Sequence, residues 1–316
     1  MHLNRQHNII FPNLDIEFEN LGKSISVFGF DIAFYGIIIA IGMLAGYGVA
    51  QYLAKKTNQD EEIYLDFALL AIVISVLGAR LYYVIFSWEE FANNPIDILN
   101  FRKGGLAIYG GVIAGVICAL IYSKIKKIDF YLFADTCVPA LLIGQVIGRW
   151  GNFFNREAFG SYYDGLFSML LDIRDVHSDY RKPVEILMSQ YGGNPQALEK
   201  IMEIRNNTLL IDGATYIQVH PTFLYESVWN FAIFLIMIIY SKHKKFDGEI
   251  ALIYFIGYGL GRFWIEGLRT DQLFLFNTQI AASQLLSALL VIVGIGLLIY
   301  NYSKLNKLPN KRKKKR

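Results

Sequence analysis

The chain has 316 residues, 54% of them hydrophobic and only 18% charged, with a formal net charge of +3. Average soluble chains are about 25% charged, so the composition excludes an ordinary soluble domain. The positive balance gathers in the tail, residues 311–316, which reads as a cytoplasmic anchor beside anionic lipid rather than a nucleic-acid arm.

In chain order, residues 1–31 form an N-terminal segment expected on the extracytoplasmic side. Its first 23 residues are polar and hold no apolar signal-peptide core, so the first apolar run is a retained helix. Runs long enough to cross hydrocarbon, roughly 18–23 residues, fall at about 32–53, 64–86, 105–123, 130–149, 222–241, 248–266 and 279–300. The expected fold is therefore an all-α polytopic membrane protein of about seven transmembrane helices. Lysines follow the odd spans: Lys55 and Lys56, then Lys124, Lys126 and Lys127, then Lys242, Lys244 and Lys245. By the positive-inside rule the N-terminus is outside and the C-terminus cytoplasmic. Residues 32–160 carry helices one to four, 221–300 carry helices five to seven, and 301–316 form the basic cytoplasmic tail.

Residues 161–220 are too polar for lipid and too mixed for simple disorder. They are expected as a small extracytoplasmic head domain, with a helix within 188–204 and a hairpin over 209–219 that turns at Asp212-Gly213. The two cysteines, Cys118 and Cys137, lie in apolar runs and read as core residues, with no disulfide framework or metal spacing.

The intramembrane polar residues fall at one depth. Under the expected topology Tyr35, Arg80, Tyr82, Tyr83, Tyr109, Arg149 to Glu157, His220, Tyr225, Glu226, Tyr258, Arg262 and Glu266 all lie in the outer half of the bilayer. A transporter holds such groups near the midplane on broken helices, so a site open to the outer leaflet fits better. A transporter and a lipid-binding receptor remain the alternatives from other classes. Between Gly148 and Gly160, two arginines, two asparagines and Glu157 alternate with Trp150, Phe153, Phe154 and Phe159. Polar groups at the edge of hydrocarbon are costly unless paired or used. Tyr258, Arg262 and Glu266 recur at i, i+4 and i+8 on one helix face, followed by Arg269. Arg262 and Glu266 read either as a plain ion pair or as a pair that also binds a ligand. Two guanidinium forks at one depth, Arg149 and Arg262, suit a phosphate. The glycines of the third and sixth spans read mainly as close helix packing, with room for a lipid headgroup as the alternative. His220, before Pro221, reads as a helix-entry residue or a site residue.

The run Gly148-Arg149-Trp150-Gly151-Asn152-Phe153-Phe154-Asn155-Arg156-Glu157-Ala158-Phe159-Gly160 resembles the signature of the prolipoprotein diacylglyceryl transferase family. Further blocks are similar and come in the family's order over most of residues 28–272. They are Tyr35-Gly36, Gly78-Ala79-Arg80, Gly104-Gly105 with Tyr109-Gly110-Gly111, His220-Pro221-Thr222 with Leu224-Tyr225-Glu226, and Gly257-Tyr258-Gly259 with Arg262 and Glu266. The resemblance implies a bacterial membrane transferase that moves the diacylglyceryl group of phosphatidylglycerol to the lipobox cysteine thiol of a preprolipoprotein, releasing glycerol phosphate. It implies no cofactor and no metal. The partners it implies are phosphatidylglycerol, preprolipoprotein signal peptides and membrane lipid. The nucleophile belongs to the substrate, so no Ser or Cys triad is needed. It further implies that Arg149 and Arg262 stabilise the leaving phosphate, Glu157 and Glu266 orient them, and Tyr35, Arg80, Asn152, Gly160 and Tyr258 help hold phosphatidylglycerol. Two positions depart from the family pattern. Tyr109 stands where the family carries His in a His-Gly-Gly block, and a free tyrosine with pKa near 10 is a poor base. Tyr109 reads either as the catalytic base, its pKa lowered by a nearby Arg, or, the favoured reading, as a residue that orients the headgroup, with Glu157, Glu266 or water then taking the proton. Phe223, where relatives can carry a polar residue, is expected to affect packing.

Overall fold

The structure, a computed structural model, describes residues 8–101, 104–191, 194–275 and 280–307. The basic tail at 311–316 lies outside the described residues. The chain divides into two compact units, one of residues 1–46 and 141–316, the other of residues 47–140.

Seven long helices form at the seven apolar runs. They are α1 (Phe34–Lys56), α2 (Glu62–Phe86), α4 (Ile108–Ile125), α5 (Phe130–Asn155), α8 (Thr222–Tyr240), α9 (Glu249–Leu268) and α10 (Ala282–Lys307), with a one-turn α3 (Trp88–Phe91) after α2. Six of them, all but α9, are long and apolar enough to cross a membrane. The protein is thus mostly helical and polytopic. Large apolar side chains on these helices stay uncovered, Leu44, Phe86 and Ile108 among them, as expected where lipid rather than water is the solvent. α9 carries Glu249, Arg262 and Glu266.

In the 47–140 unit, α2 and α4 pack closely through glycine. A Cβ at Gly78 would meet Ala114 Cβ at 2.3 Å and Gly110 O at 2.8 Å. These glycines serve backbone approach, as the packing reading expected. Asp129 starts α5 by accepting from the N–H groups of Tyr131 and Leu132 at 2.9 and 3.0 Å, the usual relief for unsatisfied first-turn donors. Beneath it Tyr64, Tyr122 and Phe133 form a small core with Ala50 and Ala54.

The other unit departs from the all-α expectation. It contains an antiparallel five-stranded sheet in the order β2-β1-β5-β7-β6. Its strands are β1 (Ile9–Phe11), β2 (Ile16–Phe18), β5 (Met169–Asp172), β6 (Leu209–Ile211) and β7 (Ala214–Val219). A separate hairpin, β3 (Ser24–Val27) and β4 (Phe30–Ala33), precedes α1. The β6–β7 hairpin turns at Asp212 and Gly213, both at positive φ, as the sequence signals. The other pairings are long-range, with Ile9 opposite Leu171 and Leu170 opposite Gln218, and no local signal announces them. The sheet thereby joins the N-terminal segment to the 161–220 segment in one head.

The helix expected over 188–204 forms as two, α6 (Val184–Tyr191) and α7 (Pro195–Asn206). Pro195 disfavours helix for the residue before it. Asn194 then caps the new helix, its side chain accepting from Ala197 N–H at 3.1 Å. The head's core gathers Ile9, Phe11, Leu171, Leu187, Ile201, Ile204 and Ile217, and it continues into Phe153 of α5 and Phe223 of α8. Phe223 packs on Phe153 at 5.0 Å and Trp150 at 5.3 Å between ring centroids, a packing role as expected.

Candidate active site

The signature closes α5. Gly151 has no side chain because the Tyr35 ring lies there; a Cβ would sit 2.6 Å from Tyr35 Cδ2. Tyr35 thus packs against the turn that presents Arg149 and Asn152. Arg156 does not face a ligand. It is buried at positive φ, its guanidinium donating to the carbonyls of Phe154 (3.0 Å) and Leu21 and lying 3.5 Å from Asp175. It fastens the signature to the head.

Arg149 on α5 and Arg262 on α9 meet at one carboxylate. Glu226, one turn into α8, pairs with Arg149 Nη2 through Oε2 and with Arg262 Nη1 through Oε1, each at 2.8 Å. Arg262 Nη2 also pairs with Glu266 at 2.5 Å. Arg269, just past α9, lies 3.5 Å from Glu226 and 3.8 Å from Glu266, and its Nε and Nη2 grip Asp271 at 2.9 and 2.7 Å.

Both glutamates are only 4% exposed, whereas Arg149 and Arg262 are 21% and 16% exposed. An isolated carboxylate at that burial would cost several kcal/mol, so each requires its cations. Three guanidiniums carry about fifteen N–H donors. Two buried carboxylates and a rim aspartate do not consume them all. A fixed, partly desolvated cluster of forks with donors to spare, open on the Arg149 side, is suited to an anionic phosphate ester.

The end of α9 beyond the cluster is tied to the head. Lys200 of α7 donates to the carbonyls of Gly267 (2.7 Å) and Arg269 (2.9 Å); its burial lowers its pKa, against the opposing pull of Glu266. Gly160 is held by its own N–H to His220 O at 3.0 Å. A Cβ there would lie 2.7 Å from His220 Cβ and 3.1 Å from Leu268 O, so Gly160 is where the loop after α5 crosses the ends of α8 and α9. His220 stacks on Tyr163 at 4.0 Å and its Nδ1 lies 3.2 Å from Tyr225 Oη.

Among the described residues Glu157 meets no guanidinium, contrary to the expected orienting role. Its Oε1 accepts from Asn152 and Asn155 Nδ2 at 3.2 Å each, and the residue is exposed. Tyr258, one turn before Arg262, stacks on Tyr254 at 5.2 Å. Arg80 and Tyr109 belong to the 47–140 unit. Arg80 is buried, and its donors go to backbone: Nε to Ile98 O (2.9 Å), Nη1 to Gly104 and Gly105 O (2.6 and 2.9 Å), and Nη2 to Asp97 and Asn100 O (2.6 and 3.3 Å). A Cβ on Gly105 would strike Arg80 Nη1 at 2.5 Å. Tyr109 is half-buried in the first turn of α4.

The structure therefore brings Arg149, Arg262 and Glu266 together and sets Asn152 and Glu157 beside each other in the turn that follows Arg149. It adds Glu226, Arg269 and Asp271, which the sequence reading did not place in the site. A lone acid in the apolar helix Thr222–Tyr240 is the signal that marks Glu226. Arg269 and Asp271 lie past the helix end, where charge is ordinary.

A model of the family described as prolipoprotein diacylglyceryl transferase matches residues 23–300. The chain is 39% identical over 282 residues to the phosphatidylglycerol–prolipoprotein diacylglyceryl transferase of Clostridioides difficile, covering 89% of this chain and 95% of that one. It is 40% identical over 271 residues to the protein of that name in Finegoldia magna, covering 85% and 91%. The match to the Listeria innocua protein is 39% over 283 residues, 90% of each chain.

Proposed function

The chain belongs to the prolipoprotein diacylglyceryl transferase family, and on that premise we propose how its own residues carry the family's reaction. The enzyme takes the diacylglyceryl group of phosphatidylglycerol and places it on a prolipoprotein. The acceptor is the thiol of the lipobox cysteine. Its sulfur attacks the glyceryl carbon that bears the phosphate; the C–S bond forms as the C–O bond breaks. The electron pair leaves on the phosphate oxygen of glycerol phosphate, and the thiol proton passes to a base.

One observation carries this reading: two guanidiniums from different helices, Arg149 and Arg262, are held 2.8 Å from the same buried carboxylate. Charge develops on the leaving phosphate, and forks already fixed in a water-poor site stabilise it without reorganising. Glu226 and Glu266 hold the forks; Arg269 and Lys200 hold the glutamates and the helix end. Asn152 and Tyr35 meet the headgroup from the Arg149 side, and Tyr258 meets the glycerol. Of the two glutamates weighed as proton acceptor, Glu157 is the better placed, being exposed and set by two amides, while Glu266 is committed to Arg262. Arg80 acts through the carbonyls it gathers, those of Asp97, Ile98, Asn100, Gly104 and Gly105, and for Tyr109 the family resemblance implies a role in orienting the headgroup.

The topology proposed is seven spans with the head and N-terminus outside. α9 crosses as the sixth because Arg262 and Glu266 neutralise each other within the protein. The lysines after the odd spans support a cytoplasmic C-terminus. A polar cleft lined by Ser161, Glu199, Lys200, Gly267, Gln272 and Gln284 lies beside the cluster, and Lys200 spans both. It is the proposed approach for the peptide.

The test is incubation of the purified protein with phosphatidylglycerol and a lipobox peptide, followed by mass spectrometry. A diacylglyceryl increment on the cysteine is expected. Binding of phosphatidylglycerol with no increment would overturn the reading in favour of a lipid receptor.

A further inference from the structure

One turn below the ionic cluster lies a layer of neutral polar side chains. Gln145 is four residues before Arg149 on α5, Tyr258 four before Arg262 on α9, and Asn230 four after Glu226 on α8. Residues four apart share a helix face. Tyr254, one turn deeper on α9, ties the layer together: Gln145 Nε2 donates to its hydroxyl at 3.2 Å, and its ring stacks on Tyr258 at 5.2 Å.

Asn230 is the exception in this layer. It is 3% exposed, and its Nδ2 has no hydrogen-bond acceptor among the described residues. A buried amide left without a partner is costly and uncommon in folded proteins. Its direction follows from its neighbours on α8. Ser227 donates to Val146 O of α5 at 3.0 Å, and Trp229 Nε1 donates to Gly257 O of α9 at 2.8 Å. At 3.6 residues per turn, Asn230 falls between those two directions, on the face where Glu226 bridges Arg149 and Arg262. It thus faces the seam between α5 and α9, beneath the cations.

We propose that Asn230 Nδ2 donates a hydrogen bond to an ester carbonyl of the lipid, so that the site reads the acyl linkage as well as the phosphate. The inference rests on the proposed entry of phosphatidylglycerol at the Arg149–Arg262 cluster. The spacing agrees. From phosphorus to the nearer ester carbonyl oxygen is roughly 5–6 Å with ordinary bond lengths, and a four-residue helix step rises about 6 Å. Gln145 is tied by its bond to Tyr254, and Tyr258 is met there through its ring. The donor that awaits an acceptor is Asn230.

The experiment compares kcat/KM for ester-linked diacyl phosphatidylglycerol and its ether-linked dialkyl analogue, with one lipobox peptide, in wild type and Asn230→Leu. Wild type is expected to favour the ester lipid by about 2- to 12-fold, the value of one neutral hydrogen bond. The Leu variant should lose that preference by a drop on the ester lipid alone, its rate on the ether lipid unchanged. Equal values for the two lipids in wild type would overturn the inference without need of any variant. An equal loss on both lipids in Asn230→Leu would overturn it too, leaving Asn230 a structural residue that holds only a water. Absence of transfer from either lipid by wild type would instead defeat the transferase reading on which the inference stands.

Discussion

Arg262 touches two carboxylates at once, Glu226 at 2.8 Å and Glu266 at 2.5 Å, which a point charge on a flexible stem cannot do with the same geometry. Arg262→Lys is therefore expected to lower transfer by about 100-fold or more, the scale seen when one preorganised transition-state donor is lost, with the protein still inserted and thermally stable. The readout is initial rate alongside a melting curve in detergent. Near-normal activity would reduce Arg262 to a structural ion-pair partner. Tyr109 poses the opposite question, because this chain has a phenol where the family carries imidazole. If it orients the headgroup, Tyr109→Phe should cost one hydrogen bond, roughly 0.5–1.5 kcal/mol or about 2- to 12-fold in rate, rising to about 3 kcal/mol for a bond to charged phosphate. Tyr109→His should stay active, since imidazole with pKa near 6.5 can serve there. A loss beyond about a thousandfold in the Phe variant, with lipid binding intact, would make the phenol the base; the thousandfold mark exceeds the largest loss one charged hydrogen bond can explain.

At the scale of the element, the junction of α5, α8 and α9 is closed by short loops rather than by helix contacts alone. Gly160, His220 and Leu268 share backbone bonds there: Gly160 N–H to His220 O at 3.0 Å, His220 N–H to Ser161 O at 3.1 Å and Ser161 N–H to Leu268 O at 2.7 Å. His220 sits just before α8, and burial lowers its pKa from the usual 6.5. The sign follows from linkage. Above about pH 6.5 neither the folded nor the unfolded imidazole is protonated, and the full stability is present. As pH falls below that value the unfolded chain binds the proton first, so stability drops until the folded pKa is passed. The melting temperature of wild type should therefore decline as pH is taken from 7.5 to 5.5. His220→Gln should flatten that decline; an unchanged slope in the variant would show that other groups set it. β7 leads through His220 and Pro221 directly into α8, so the sheet and the site are tied by two residues.

For the whole molecule, the testable matter is which side of the membrane each part occupies. The proposed topology, which rests on the lysines that follow the odd spans, has the head outside and the C-terminal end of α10 inside. Single cysteines at Leu210, an exposed strand position in the head, and at Ser303, near the end of α10, should report opposite sides. A membrane-impermeant maleimide added to intact cells should label Leu210→Cys alone, and Ser303→Cys only after lysis. The reverse pattern would remove the depth argument that gathers the polar residues at the outer leaflet.

What the sequence by itself determined is what depends on local chemistry. The apolar runs become helices, six of them long and apolar enough to cross a membrane, because hydrocarbon leaves the backbone no other partner for its N–H and C=O groups. The Asp212-Gly213 turn specifies its hairpin, and Pro195 splits the expected head helix, both through allowed backbone angles. The cations Arg149 and Arg262 were legible as a pair because two forks at one depth in apolar helices need a reason. Tertiary structure alone decided which acids face them. Glu226 proves to be the shared carboxylate and Glu157 turns to two asparagines, since partners across helices depend on helix rotation and on where glycine permits close approach. Likewise Arg80 and Arg156, read from the sequence as site-like cations, turn to structural partners: Arg80 to backbone carbonyls, and Arg156 to two carbonyls and Asp175. Beyond that hairpin the five-stranded sheet was invisible for the same reason: Ile9 finds Leu171 across more than 160 residues, and a pairing set by chain return leaves no mark in either strand.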